Sequence, residues 1–563
     1  MKPRNIGRAV LASATLAFLT PLLAACGQPA PWLEDATQRL GVSFTHTSGG
    51  TGELYLPEII GGGVALFDYD EDDDLDLYFV NGNTDLPGFG REGSAVNQLF
   101  RHEPDGTYID VTAESGLGDN GYGMGVAIGD VDNDGHQDVY VTNLGPDQLY
   151  LNQGDGRFTN ATAALGIQVP GWSASAAFCD YDRDGFLDLF VTQYLQFDPE
   201  QRCTDPAGQP EYCGPRSFRP VASVLLHNEG GRHFTDVSGP SGIGASAAAG
   251  MGVACRDLTG DGWQDFYVTN DSYANNLWVN QHDGTFVDQA VPMGAAFGSQ
   301  SETRAGMGLA AADFTGDGQQ DLLITNLRDE GNAFYRRDGS AGFTFDAEAS
   351  GLAAPSRQYT GFGVTGIDLE LDGDLDAAVV NGRVKGYEPL PGARQVAPWN
   401  RLAEPNQLFL NNGQGHFTPA TSDECGPFCS DIEISRGLAH GDLDGDGAED
   451  LVVTQIEGPA RIFLNRAPGR GHWLSVRTVD PRYRRDAPGA VVTATIGTRQ
   501  LVRIADPATS YLSSSAPDAH FGLADADHVD DLAVQWPDGL VEHFGSDCVD
   551  CRLVLRRGSG RQD

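Results

Sequence analysis

The sequence predicts an all-β protein, a seven-bladed β-propeller followed by a small β-rich C-terminal domain. Three observations lead there. One aspartate-rich template recurs seven times along the 563 residues. Each recurrence lies inside a unit that reads as four short strands. The first and last units are incomplete in complementary ways, as a ring requires.

The template runs FDYDEDDDLDLYFV (67–80), GDVDNDGHQDVYVT (129–142), CDYDRDGFLDLFVT (179–192) and RDLTGDGWQDFYVT (256–269). It continues as ADFTGDGQQDLLIT (312–325), IDLELDGDLDAAVV (367–380) and GDLDGDGAEDLVVT (441–454). A strand of small residues precedes most copies, as in Gly123-Met124-Gly125-Val126-Ala127. The alternating apolar run that ends the template predicts the second strand. A third follows in Gln148-Leu149-Tyr150-Leu151-Asn152, and a fourth in Arg232-His233-Phe234-Thr235-Asp236-Val237-Ser238. Tight-turn chemistry separates them, which accounts for the 73 glycines. Four-stranded units of this length suit a propeller better than a solenoid.

The ring needs a closing strand. The seventh unit reaches Ile462-Phe463-Leu464-Asn465 and then lacks its Phe-Thr-Asp piece, while Leu33-Glu34-Asp35-Ala36-Thr37 precedes the first unit. In Phe158 to Gly166, Phe234 to Gly242 and Phe286 to Gly294 an aromatic stands eight residues before a glycine, and Leu33 to Gly41 keeps that interval. Residues 32–41 are therefore expected to complete the last blade of a propeller spanning 32–466, which leaves no free sheet edge.

Within each loop the oxygen-bearing side chains fall at positions 1, 3, 5 and 9. They are Asp68, Asp70, Asp72 and Asp76 in the first loop, with Asp74 added at position 7. Asp130, Asp132, Asp134 and Asp138 follow in the second, with Gly135 at the sharp turn, and Asp180, Asp182, Asp184 and Asp188 in the third. The fourth and fifth put threonine at position 3: Asp257, Thr259, Asp261, Asp265 and Asp313, Thr315, Asp317, Asp321. The sixth carries Asp368, Glu370, Asp372, Asp374 and Asp376, and the seventh Asp442, Asp444, Asp446 and Asp450. A hard cation takes six to eight oxygens, and this spacing wraps them round one point, so up to seven structural Ca2+ ions are expected. Calcium is favoured over magnesium by the high all-oxygen ligand count. The two threonine loops are expected to be the weaker sites.

Acids outnumber Lys plus Arg by 79 to 36, for a formal net charge of −43. About a third of the 79 acids fall at the loop positions, so much of the acidity is placed for cations. The same balance argues against nucleic acid as a partner, since phosphate binding needs clustered Lys and Arg.

Residues 1–26 read MKPRNIGRAVLASATLAFLTPLLAAC. A basic start, a short apolar stretch and the ending Leu23-Ala24-Ala25-Cys26 match the bacterial lipobox. The resemblance implies a signal peptide over 1–25, cleavage before Cys26, lipidation of that cysteine and a linker over 26–31. Gly27 in place of aspartate leans towards the outer membrane. The expected setting is extracytoplasmic and membrane-anchored.

The seven repeats resemble the FG-GAP/VCBS repeats of integrin α-chain propellers and many bacterial surface proteins. That resemblance implies structural calcium on one face, with ligands engaged elsewhere. After Pro468-Gly469 the repeat stops. Arg485-Asp486-Ala487-Pro488-Gly489-Ala490, His520-Phe521-Gly522-Leu523 and Val534-Gln535-Trp536-Pro537-Asp538-Gly539 resemble the ASPIC/UnbV domain, which typically follows such propellers in the cartilage acidic protein family. It is expected over 467–557, with a tail over 558–563. His520 has no evident nucleophile beside it and reads as structural.

Without Cys26, eight cysteines remain, an even number suited to an oxidising compartment. Spacing pairs Cys203 with Cys213, Cys425 with Cys429 and Cys548 with Cys551, leaving Cys179 and Cys255 to stitch neighbouring blades. Two long insertions, 193–222 and 381–405, are the candidate contact surfaces, the second carrying Tyr387, Arg394, Trp399 and Arg401. No nucleophile elbow, HExxH, phosphate loop or unassigned metal triad is present. The expected function is a binding or adhesion module for a glycan, protein or matrix polymer. The alternative is a polysaccharide-acting lyase or hydrolase.

Overall fold

The computed structural model describes Met1 and residues 30–50, 52–83, 95–546 and 548–562. The signal stretch and Cys26 lie outside the described residues, as does 84–94. Among the described residues no helix is long and apolar enough to cross a membrane.

The fold is all-β and propeller-like. Seven antiparallel units of four strands follow one another in the chain. The second is representative: Gly123–Gly129, Asp138–Asn143, Gln148–Asn152 and Phe158–Asn160 pair in that order. The seventh takes Ser435–Gly441, Asp450–Gln455 and Arg461–Asn465 from late in the chain and Leu33–Asp35 from its start. Leu33 pairs with Asn465 and Asp35 with Phe463, and Leu33 is fully buried.

The first strands of successive units pack against one another in chain order, and the last, Ser435–Gly441, packs against the first, Val64–Phe67. A recurring threonine ties them. Thr142 Oγ1 donates to Ala174 O at 2.5 Å, Thr192 Oγ1 to Met251 O at 3.0 Å and Thr325 Oγ1 to Phe362 O at 2.6 Å, each in the following unit. Thr454 in the seventh unit donates to Gly62 beside the first. The inner strands crowd together, which explains their small residues. A Cβ added to Gly125 would lie 2.9 Å from the carbonyl oxygens of Ala174 and Leu512.

The C-terminal segment forms two sheets. His472–Asp480 pairs with Arg485–Asp486 and Ala519–Ala524, and with Cys551–Arg556 in parallel. Ala490–Ile496 pairs with Arg499–Ala505 and Val529–Gln535. Leu474, Val476, Val492, Phe521, Leu532 and Trp536 from both sheets share one core. Strand pairing continues past the expected domain end at 557, because Arg561–Gln562 joins Val541–Ser546.

Sequence reasoning did not find where this segment sends its loop. Residues 510–514 run into the middle of the seven units. Ser510 N donates to Leu309 O at 2.9 Å, and Val126 N donates to Leu512 O at 3.1 Å. Val364 N donates to Ser510 Oγ and Leu512 N to Ser175 Oγ, both at 3.1 Å, and Ser514 pairs with Ala65. Five of the seven innermost strands thus touch one short segment. Tyr511 is fully buried there, its hydroxyl donating to Ile60 O at 2.9 Å and its ring 5.1 Å from that of Phe362.

All four disulfides are formed: Cys179–Cys255, Cys203–Cys213, Cys425–Cys429 and Cys548–Cys551. The first joins the innermost strands of the third and fourth units. Four disulfides in one chain point to an oxidising compartment.

Candidate functional site

Each aspartate loop is built by its own side chains. The carboxylate at position 1 accepts from the N–H five residues on, as Asp130 Oδ2 does from Gly135 at 2.9 Å, and this bond recurs in all seven loops. The turn needs a left-handed residue at that point. Gly135 has φ +105°, and the first loop uses Asp73 at φ +70°. Position 9 is a clamp. Asp138 accepts from Val131 N and from Asn152 N, both at 2.9 Å, joining the loop to the third strand, and all seven loops repeat the pair.

Positions 1, 3 and 9 converge. The ligand oxygens of Asp68, Asp70 and Asp76 all lie within 4.8 Å of one another, and so do those of Asp130, Asp132 and Asp138, of Asp180, Asp182 and Asp188, and of Asp442, Asp444 and Asp450. Position 5 does not join these close groups. Its carboxylate turns to the N–H at position 7, as Asp134 Oδ1 does to His136 N at 2.9 Å and Asp184 Oδ1 to Phe186 N at 2.8 Å. Asp72, Asp261, Asp317, Asp372 and Asp446 do the same. In the sixth loop Glu370 at position 3 lies against Asp376. Asp74 meets His102 Nδ1 at 2.9 Å, and Asp374 pairs with Arg499.

Burial and crowding outweigh the nearby cations at these carboxylates, although Arg485 stands by Asp130 and Asp180, and Arg466 pairs with Asp444 and with Asp446. Burial, with repulsion from Asp70 and Asp74, pushes Asp76 up to about 9. Burial and like neighbours raise Asp130, Asp180 and Asp442 to about 6. Several oxygens are buried with no hydrogen-bond partner: Oδ1 of Asp70, Asp180 and Asp442, and the hydroxyls of Thr259 and Thr315. Such orphaned oxygens are costly unless something accepts their lone pairs. The donor set, all oxygen and mostly anionic, fits a hard divalent cation, which would cancel the repulsion and fasten each turn to its sheet. His227, which the sequence reading passed over, brings an imidazole to Asp182 and Asp184 in the third loop.

The asparagine ending the third strand joins neighbouring units. Asn152 Nδ2 donates to Tyr69 O at 2.9 Å, Asn228 Nδ2 to Val131 O at 2.8 Å and Asn280 Nδ2 to Tyr181 O at 2.9 Å, each in the preceding loop. Asn411 and Asn465 repeat it.

The C-terminal domain sits on these loops. Arg485 Nη2 donates to Gly185 O and Arg503 Nη2 to Gly373 O, both at 3.1 Å, and Arg470 meets Asp446 at 2.9 Å. His520 is 7 % exposed, with Nε2 2.8 Å from Gly447 O and Nδ1 3.8 Å from Glu449. Burial alone would raise the Glu449 carboxyl, but His440, His520 and Arg503 together hold it down at about 2. His520 thus belongs to the seam between the domain and the seventh loop.

The relatives of this chain can now be set beside its geometry. The FG-GAP-like repeat family matches residues 68–141, 130–191, 257–324 and 313–379, and the ASPIC and UnbV family matches 480–562. The chain carries FG-GAP-like repeats and an ASPIC and UnbV domain. Cartilage acidic protein 1 of Xenopus tropicalis is 29 % identical to this FG-GAP-repeat chain over 300 residues, 52 % of this chain and 42 % of the relative. The Homo sapiens protein is 28 % identical over 316 residues, 54 % and 43 % of the two chains. The match thus spans less than half the length of these relatives. Among solved structures, the BP39L lectin of Burkholderia pseudomallei is similar at 12 % identity and TM-score 0.42, covering 73 % of this chain and 97 % of that one. An Agrocybe aegerita lectin structure is similar at 15 % identity and TM-score 0.38, covering 72 % and 96 %.

A second feature lies at the other ends of the same strands. Asp188–Gln193 begins at its aspartate loop and ends at the 193–222 insertion, and Asp376–Asn381 likewise leads into 381–405. The two insertions meet at a cleft of about 340 Å³ lined by Tyr212, Glu211, Asp205, Trp399 and Arg401. Tyr387 is 42 % exposed, with Arg328 and Arg383 at 5.1 and 5.3 Å from its ring centre, and Arg394 pairs with Asp431 at 2.7 Å.

Proposed function

We propose that this chain is a calcium-stabilised, lipid-anchored extracytoplasmic binding module. In this reading the seven units are the blades of a closed propeller. The cyclic packing of the inner strands, the Thr454 bond to Gly62 and the Leu33–Asp35 pairing support closure. Calcium at the aspartate loops is supported by the convergent carboxylates and the orphaned threonine hydroxyls. The loops then serve the fold, and the ligand binds elsewhere.

The observation that carries the functional reading is the cleft between the insertions. The C-terminal domain covers the loop ends of the strands, so recognition falls to the opposite ends, where two aromatics, an arginine and two carboxylates surround about 340 Å³. That mixture suits a glycan, or a polar segment of a protein or matrix polymer. The rival reading, a polysaccharide-acting enzyme, draws on the paired acids Asp205 and Glu211 in the same cleft. Anchoring through Cys26 follows from the lipobox alone.

Two measurements test this. In thermal unfolding with calcium and then with excess chelator, each occupied site adds about 2.7 kcal/mol at a hundredfold excess over its Kd. A large shift restored by calcium is expected, and no shift removes the calcium reading. On a panel of immobilised polysaccharides the protein is expected to be retained without releasing fragments, and Trp399→Ala to abolish retention. Release of fragments would make it an enzyme.

A further inference from the structure

Where the C-terminal domain meets the second unit, a different cleft of about 330 Å³ opens, lined by Arg477, Arg484, Arg485 and Arg556. Two of these guanidiniums are committed. Arg477 Nε donates to Asp486 Oδ1 at 2.7 Å, and Arg485 Nε to Asn133 Oδ1 at 2.8 Å. Arg484 and Arg556 are exposed, and their guanidiniums make no ion pair or hydrogen bond among the described residues. In a chain with 79 acids to 36 Lys plus Arg, two unpaired arginines facing one hollow are out of keeping with the rest of the surface.

The other walls add to this. Val554, 47 % exposed and two residues before Arg556 on the same strand, lines the cleft with the largely buried Val479. Asp73 and Asp130 also border the cleft. Asp130 is one of the loop carboxylates assigned to calcium, and Asp73 has Arg477 at 3.9 Å, so neither cancels the free pair. Arg484 holds φ +59°, a left-handed value that arginine rarely adopts.

We propose that this cleft binds a small organic oxyanion. Arg484 and Arg556 grip its carboxylate or sulfate, and its carbon skeleton lies on Val554 and Val479. A guanidinium presents two parallel N–H donors that match two oxygens of such a group, and both arginines bring that fork with no partner to displace. The volume suits a ligand the size of one acidic sugar residue. This site is separate from the cleft between the insertions and does not depend on it.

Isothermal titration of the full chain at fixed calcium tests it, with glucuronate, inorganic sulfate and neutral glucose as probes. Glucuronate is expected to bind, more weakly as salt is added, and glucose not to bind. The double variant Arg484→Ala, Arg556→Ala is expected to lose about tenfold or more in affinity, the scale of charge-assisted hydrogen bonds. Its unfolding midpoint should not move, since both side chains are exposed and unpaired. Arg484→Lys with Arg556→Lys keeps the charge without the fork and should recover only part of the affinity. Sulfate binding as tightly as glucuronate means the oxyanion alone is read, and weaker sulfate binding means the skeleton contributes. Failure of both charged probes, equal binding of glucose, or an unaffected double alanine variant overturns the proposal.

Discussion

Thr259 and Thr315 show what a single position in these loops can and cannot do. A hydroxyl at position 3 gives the cation an oxygen but no charge, and both are buried without another partner. The neighbouring carboxylates carry the opposite burden. Burial raises Asp265 and Asp321 to about 7, against 3.8 for an ordinary aspartate. Between those two pH values the metal-free folded chain holds protons that the unfolded chain releases, so its stability falls as pH rises through about 4 to 7. Calcium must displace those protons, and its benefit therefore grows over the same range. Thermal scans with calcium and with chelator are expected to differ little at pH 5 and most by pH 8. An equal difference at both ends would remove the loops as the sites. The carboxylates that converge were legible in the sequence from their spacing alone. The turn of position 5 towards the N–H at position 7 was not, because spacing fixes which residues share a loop and leaves open which way each carboxylate faces.

At the scale of the element, two segments show where legibility ends. The strand Leu33–Asp35 announced itself, since its distance to Gly41 copies the interval found in other units and its partner strand lacked a neighbour. The 510–514 segment gave no such sign. Its residues have neither strand alternation nor a motif, and apart from a local pairing with Ala508–Thr509 the contacts that define it lie far away in sequence. Physically it pins inner strands to one another. Tyr511 is fully buried in this segment, and replacing it with alanine leaves an aromatic-sized void where small inner residues cannot collapse. Tyr511→Ala is expected to cost about 3–5 kcal/mol in chemical denaturation. Tyr511→Phe should cost about 1 kcal/mol, the share of the hydrogen bond to Ile60.

Over the whole molecule, the two ends of the same strands carry different features. Aspartate loops and the C-terminal domain occupy one end, and the insertions with their cleft occupy the other. The repeat pattern told which strands exist. It said nothing of the docking, because arginines such as Arg485 and Arg503 bind loop carbonyls, which no side-chain motif reveals. The seventh unit has a further consequence, in time. Leu33 is synthesised early and its partner Asn465 late, so the nascent chain carries an unpaired strand for about three quarters of its manufacture. Contacts this remote in sequence slow folding, and the waiting edge is open to other chains. A permuted variant in which residues 32–41 are transposed to follow Asn465, ahead of the C-terminal domain, turns this distant pairing into a local hairpin. Refolding after dilution from denaturant is expected to be faster in the permutant and less prone to aggregate, with the calcium-dependent midpoint nearly unchanged. A variant that refolds no faster would mean that the slow step lies elsewhere in the chain.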